Sequence, residues 1–165
     1  MKTDSKPNRR SGYGLAPRAA AELRSMDRLV ALFQTRRLPW ELWSHRTQMI
    51  VGLRYVLKYG FEEGLRRIRQ RVREYNAAVG IDNGSHETST VYHMWALAQF
   101  RRRHAHVRSR YVLLQRLWKD PVSDDDFLAR AYSREALSSV AARTRFLAPD
   151  RIVLPRDVVE LLLRA

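Results

Sequence analysis

The sequence predicts an all-α fold: a single-domain helical bundle, residues 18–165, behind a basic N-terminal tail, residues 1–17. Three observations carry this. Apolar residues recur three and four apart over most of the chain, the period of a helix with one buried face. No stretch of useful length alternates apolar with polar residues, as a half-buried strand would. Glycine, proline and serine stand where the periodic segments begin and end, which is where helix signals belong.

Taken in order, the tail comes first. Met1 to Pro17 is polar, carries Lys2, Lys6, Arg9 and Arg10, and is interrupted by Pro7, Gly12, Gly14 and Pro17. It has no apolar run of the kind a secretory signal needs, so a disordered tail is expected. Leu23, Met26, Val30 and Phe33 then mark a first helix over about 18–36, ended by Leu38-Pro39. A second helix runs to Tyr59, starting either at Pro39 as a first helical position or after Ser44 as an N-cap. Gly60 stops it, because a left-handed residue suits that place.

The third helix has the clearest pattern. Phe61, Leu65, Ile68, Val72, Tyr75 and Val79 follow one face, and arginines at 66, 67, 69, 71 and 73 fill the others. Glu62 and Glu63 sit in its first turn, where the helix dipole favours negative charge; Gly80 closes it. After the turn-forming run Ile81-Asp82-Asn83-Gly84, Ser85 is expected to cap a fourth helix. Unbroken to Lys119 that helix would measure about 50 Å, too long for this domain, so a break is expected near 103–106. The piece beyond it carries the stripe Val107, Tyr111, Leu114, Trp118. Short helices are expected over about 123–131 and 134–145, an extended Ile152-Val153-Leu154, and a last helix from Pro155 to Arg164.

At 165 residues the chain has the length of one ordinary domain, enough to hide roughly 70% of the unfolded surface. There is no cysteine, which removes disulfides, thiolate ligands and cysteine nucleophiles and fits a reducing, cytoplasmic setting. No apolar run approaches the roughly 20 residues of a membrane span. The net charge is +14, so nucleic acid or an acidic protein is a natural partner. Only Lys2, Lys6, Lys58 and Lys119 of the 31 basic residues are lysine, and an arginine-rich composition of this kind also arises without any partner. Arg101 to Lys119 holds seven basic residues and no acid. Arg101, Arg102, Arg103, Arg108 and Arg110 are its candidate phosphate contacts. Tyr111 and Trp118 fall on the apolar stripe, which favours core over base stacking.

The residues able to carry chemistry are few. His45 and Gln48 lie three apart and share a helix face, although glutamine is a poor metal ligand beside imidazole. His86-Glu87 opens the fourth helix, followed by Thr88 and Thr90. It is not the zinc-protease motif, which needs a second histidine where Thr90 stands. His93 lies two turns beyond His86, about 10 Å along the axis, so those two cannot share one ion; His93 can work with Glu87 or Thr90, or be core. Each feature also has a plain structural reading: a histidine bonded to backbone, or a carboxylate that steadies a helix start. His104 and His106 diverge on a helix. Phosphate-loop, nucleophile-elbow and zinc-finger patterns are absent from the sequence.

Several of these segments occur together elsewhere. Trp43-Ser44-His45-Arg46-Thr47-Gln48 resembles the W/F-[ST]-H-x-x-H motif, and His86-Glu87-Thr88-Ser89-Thr90 the His-Glu-Thr-x-Thr motif, of a family of small, uncharacterised bacterial helical proteins. Tyr75 to Gly80, Tyr132 to Leu137, Ala142-Arg143 and Phe146 to Asp150 resemble further parts of its signature, so the likeness spans about residues 30–155. The resemblance implies one centre built from His45, His86 and Glu87, acting as ligands of a divalent metal or as acid–base groups. If the helix starts at His45 and His86 face one another, they would attract a small, anionic substrate, with Gln48, Thr90 and His93 around it. The chain departs from the family pattern at Gln48, where the second histidine would stand, leaving either a retuned or a degenerate metal site. Against this enzyme-like centre stands a binding module that uses the tail and Arg101–Lys119.

Overall fold

The computed structural model describes residues 17–81 and 84–165, so the expected tail lies outside the described residues apart from Pro17. Among the described residues every regular element is helical: α1 Pro17–Gln34, α2 His45–Ala78, α3 Glu87–Arg103, α4 Arg110–Leu117, α5 Phe127–Ala131, α6 Arg134–Ser138, α7 Val140–Thr144 and α8 Arg156–Arg164. Short 3₁₀ turns occupy Trp40–Leu42 and Pro121–Ser123. Among the described residues no helix is long and apolar enough to cross a membrane.

Pro17 opens α1 rather than ending the tail, since a proline costs nothing at a first helical position. Ala19, Met26, Val30 and Phe33 form its buried face. It stops at Gln34, before the expected proline: Arg36 takes a left-handed conformation (φ 60°), and Arg37 N–H donates back to the Leu32 carbonyl at 2.8 Å. Of the two expected starts for the second helix, Ser44 is the one used. Pro39 precedes the 3₁₀ turn, and the Ser44 hydroxyl accepts from Thr47 N–H at 3.3 Å to cap α2.

The expected second and third helices run as one element broken at Gly60, whose φ of 76° and ψ of −169° are non-helical. That backbone region is essentially restricted to glycine. At the far end Gly80 is again left-handed, with Ile81 N–H reaching the Asn76 carbonyl at 2.9 Å, the closing bond of a Schellman cap.

The core forms where α2 is sandwiched. Met49, Ile50, Val51, Leu53, Tyr55 and Val56 are buried on several faces of its first half, because α1 packs on one side and α3, its most extensive neighbour, on another. Gly52 permits that close approach: a Cβ there would stand 2.6 Å from Leu97 Cδ1. Leu65, Ile68 and Tyr75 continue the core along the second half. Tyr75, fully buried, joins Phe33 and Trp43 in an aromatic cluster and donates its hydroxyl to the Leu38 carbonyl at 3.1 Å.

The long helix predicted after residue 86 does break, between Arg103 and Arg110. The buried face of α4 is Leu113, Leu114 and Leu117, rotated from the expected stripe, and Tyr111 is only half-buried. The stretch expected as one helix over 134–145 divides at Ser139. Its extended backbone (ψ 148°) ends α6, and its hydroxyl caps α7 by accepting from Ala142 N–H at 3.1 Å.

The C-terminal third is tied to α3 through one buried side chain. Thr88, with no exposed surface, donates to the Arg145 carbonyl at 2.9 Å and accepts from Leu147 N–H at 3.0 Å. Tyr132 adds a bond from its hydroxyl to the Leu147 carbonyl at 2.9 Å. Residues 152–154 form no strand, and Val153 is fully open to solvent.

Candidate functional site

The five histidines separate cleanly by what their ring nitrogens do. His86, not Ser85, is the N-cap of α3. Its backbone is extended, so the imidazole folds over the helix start, and Nδ1 accepts from Ser89 N–H at 3.2 Å. Its Nε2–H donates to the Leu137 carbonyl at 2.8 Å. Both nitrogens are therefore occupied by backbone. Glu87 beside it forms an ion pair with Arg69 of α2, both side chains about four-fifths buried. This pair and the cap spend the two residues that the motif made most conspicuous.

His104 and His106 flank the turn after α3. Arg116 Nη1 donates to His104 Nδ1 at 3.2 Å and to His106 Nε2 at 3.3 Å. Burial and the neighbouring Arg116 guanidinium hold His104 below the usual histidine range.

His45 and His93 remain. His45 is the first residue of α2 and His93 lies in the middle of α3, and their ring centroids stand 5.4 Å apart with planes inclined at 57°. His93 is 8% exposed. Its Nδ1–H donates to the Ser89 carbonyl at 2.9 Å, which leaves a lone pair on Nε2. Burial pushes its pKa down to about 4, with the Ser89 bond opposing and His45 adding to the shift. At neutral pH the ring is uncharged. The Nε2 atoms of both His45 and His93 are buried and have no hydrogen-bond partner.

A cavity of about 60 Å³ adjoins His93 between α2 and α3. A single water centre needs roughly 10–15 Å³, so there is room for several. Gln48, Ser89, Thr90 and His93 give the wall its polar groups, and Met49, Ile68, Val72 and Met94 are among its apolar ones. Gln48 leans on the Trp43 carbonyl through a long 3.4 Å bond, so its amide is weakly held. His45 is not itself on the wall; it meets the cavity through His93. Phe127 covers another side of the His93 ring, at 5.5 Å between centroids, and Arg46 lies over Trp118 at 4.0 Å.

The expected substrate-binding residues Gln48, Thr90 and His93 thus line one cavity, with His45 beside them. The expected metal and catalytic trio His45, His86 and Glu87 is arranged otherwise. Among the described residues no group of three or more histidine, aspartate or glutamate side chains is placed to hold a metal ion. His86 and Ser89 instead contribute to a second, open groove of about 570 Å³ with Leu128, Tyr132, Arg134 and Arg151. The partnership of His45 with His93 had no signal in the sequence. The two are 48 positions apart, and only the rotation of α3 on α2 brings them together.

The arginines of the basic segment are mostly engaged. Arg101 donates to the His104 carbonyl at 2.6 Å, Arg103 pairs with Asp120 at 2.8 Å, and Arg110 pairs with Asp27 of α1. Arg102 makes a long contact with Gln99, and Arg108 is exposed.

Comparison of the chain with models of protein families, with curated proteins and with solved structures returned no match.

Proposed function

We propose that the protein binds and acts on a small polar molecule in the cavity between α2 and α3. Gln48, Ser89 and Thr90 serve as hydrogen-bonding groups, and His45 and His93 as the chemically active pair. The observation that supports this most is the pair of buried, unpartnered Nε2 atoms beside a cavity. Neither atom is met by another group of the protein, so a ligand in the cavity can gain hydrogen bonds there.

The likeness to the small bacterial helical family belongs to the same proposal. Its two motif segments supply His45, Gln48, Ser89 and Thr90 to this one place. His86 and Glu87 act in it as supports: the cap and the Arg69 ion pair hold the start of α3, and with it Ser89 and Thr90. The nucleic-acid reading has less behind it, since Arg101, Arg103 and Arg110 already have partners within the chain.

The test is a protein-observed NMR screen with a chemically diverse set of small polar fragments. Fragments that bind are expected to shift residues 45, 48, 89, 90 and 93 together, and to lose that effect in His93→Phe. Shifts confined to other surfaces, or unchanged binding in the variant, would remove the proposal.

A further inference from the structure

We propose that His45 and His93 hold one zinc-class divalent ion through their two Nε2 atoms. The inference rests on the reading of the adjoining cavity as a small-molecule site and names the inorganic part of that site.

The argument proceeds by elimination and then by geometry. Of the five histidines, His86 has both ring nitrogens bonded to backbone, and His104 and His106 each accept from Arg116. Of the histidines, only His45 and His93 keep a buried nitrogen without a partner in the protein, and their ring centroids stand 5.4 Å apart with planes inclined at 57°. Imidazole binds a metal through an unprotonated ring nitrogen, and the bond to the Ser89 carbonyl places the ring proton of His93 on Nδ1. Its Nδ1–H bond to the Ser89 carbonyl is the outer hydrogen bond that ligating histidines make, fixing the tautomer and turning Nε2 toward the ion.

Separation then decides what the pair can share. A nitrogen-bound imidazole has its centroid roughly 3.2 Å from a zinc ion, so two rings on one tetrahedral ion stand about 5.2 Å apart. The rings here are 5.4 Å apart. A linear two-coordinate ion would need about 6.4 Å by the same construction. Imidazole nitrogen suits zinc, copper, nickel and iron and not magnesium or calcium, which take oxygen.

Two histidines leave half of a tetrahedral shell open to other donors. Among the described residues no carboxylate completes it, and His45 stands at the positive end of α2. Both facts leave the ion's charge uncompensated, so the open positions favour an anionic donor over neutral water. The ligand class that follows is a small carboxylate or oxyanion able to bind a metal and to accept hydrogen bonds from Gln48, Ser89 or Thr90.

The experiment uses tag-free full-length protein stripped with chelator. Zinc chloride is titrated calorimetrically with and without acetate, and cobalt(II) is followed by its visible absorption. Uptake of one equivalent is expected, at least tenfold weaker in His45→Phe and in His93→Phe, unchanged in His104→Phe, and tightened by acetate. Should a variant fail to fold, the wild-type ring nitrogen resonances of His45 and His93 serve instead; both must move on zinc addition. No uptake, uptake that survives both substitutions, or ring shifts confined to His104 and His106 would overturn the metal site. If fragments still shift residues 48, 89 and 90 when no zinc is taken up, the cavity reading stands without the ion. If neither happens, both fall.

Discussion

His93, whose ring centroid lies 5.4 Å from that of His45, donates through Nδ1 to the Ser89 carbonyl while its Nε2 has no partner within the protein. Burial lowers its folded pKa to about 4, against 6.5 for an exposed histidine. Below pH 6.5 the unfolded chain therefore takes up a proton that the folded protein refuses. This contribution to stability is complete above pH 6.5 and declines as the pH falls to about 4, below which both states are protonated. The gap is worth about 3 kcal/mol. Urea unfolding of metal-free protein at pH 7.5, 5.5 and 4 should show this loss in the wild type and not in His93→Phe. Parallel profiles for the two proteins would contradict the burial of an uncharged ring.

His86 should prove structural. His86→Ala removes the cap on α3 and the bond to the Leu137 carbonyl, for a loss of about 1–2 kcal/mol. Zinc uptake should persist in that variant, and fragment binding should weaken without being lost. His86→Asp restores a capping oxygen and should recover part of the stability. Abolished metal uptake in His86→Ala, with the fold intact by circular dichroism, would instead favour the His45, His86, Glu87 centre that the sequence motifs suggest.

Thr88→Val should be among the most damaging conservative changes. The isosteric methyl leaves the Arg145 carbonyl and Leu147 N–H unpaired in a buried place, at a cost of about 2–4 kcal/mol for the two groups. Thr88→Ser keeps the hydroxyl and should lose only about 1 kcal/mol for the missing methyl. Hydrogen exchange at the Leu147 amide should accelerate in the valine variant alone.

Gly60→Ala offers a test of backbone strain free of packing. A Cβ at that position would meet nothing within 4 Å, so any loss reflects the φ of 76° and ψ of −169°. About 1–3 kcal/mol is expected. A neutral or stabilising alanine, measured by thermal unfolding, would show that α2 can run through residue 60 unbroken.

Much of the fold could be read from the sequence because its signals are local. Ser44 caps, Gly60 and Gly80 break or close, and the Phe61-to-Val79 stripe faces inward, each for reasons contained within a few residues. Ser139 escaped because a serine inside an apolar period resembles an ordinary helical residue, and its double role as an end and a start depends on its ψ. The stop at Arg36 escaped because a left-handed arginine has no composition signal. The site divides in the same way. Gln48 and Thr90 could be placed near a histidine from helix spacing alone. The close approach of His45 and His93 depends on how α3 packs against α2, and no short-range pattern encodes that. Glu87 drew attention as a functional carboxylate because its partner, Arg69, lies 18 positions earlier on another helix.

The bonds from Thr88 span 57 and 59 positions, whereas α2 and α3 are joined by a short loop. Contacts between near neighbours along the chain form faster than distant ones. The hairpin of α2 and α3 is thus expected to assemble first, and the last third of the chain to arrive at a threonine already in place. During synthesis, which delivers the N-terminal side first, the cavity walls would exist before the segment that secures them has left the ribosome.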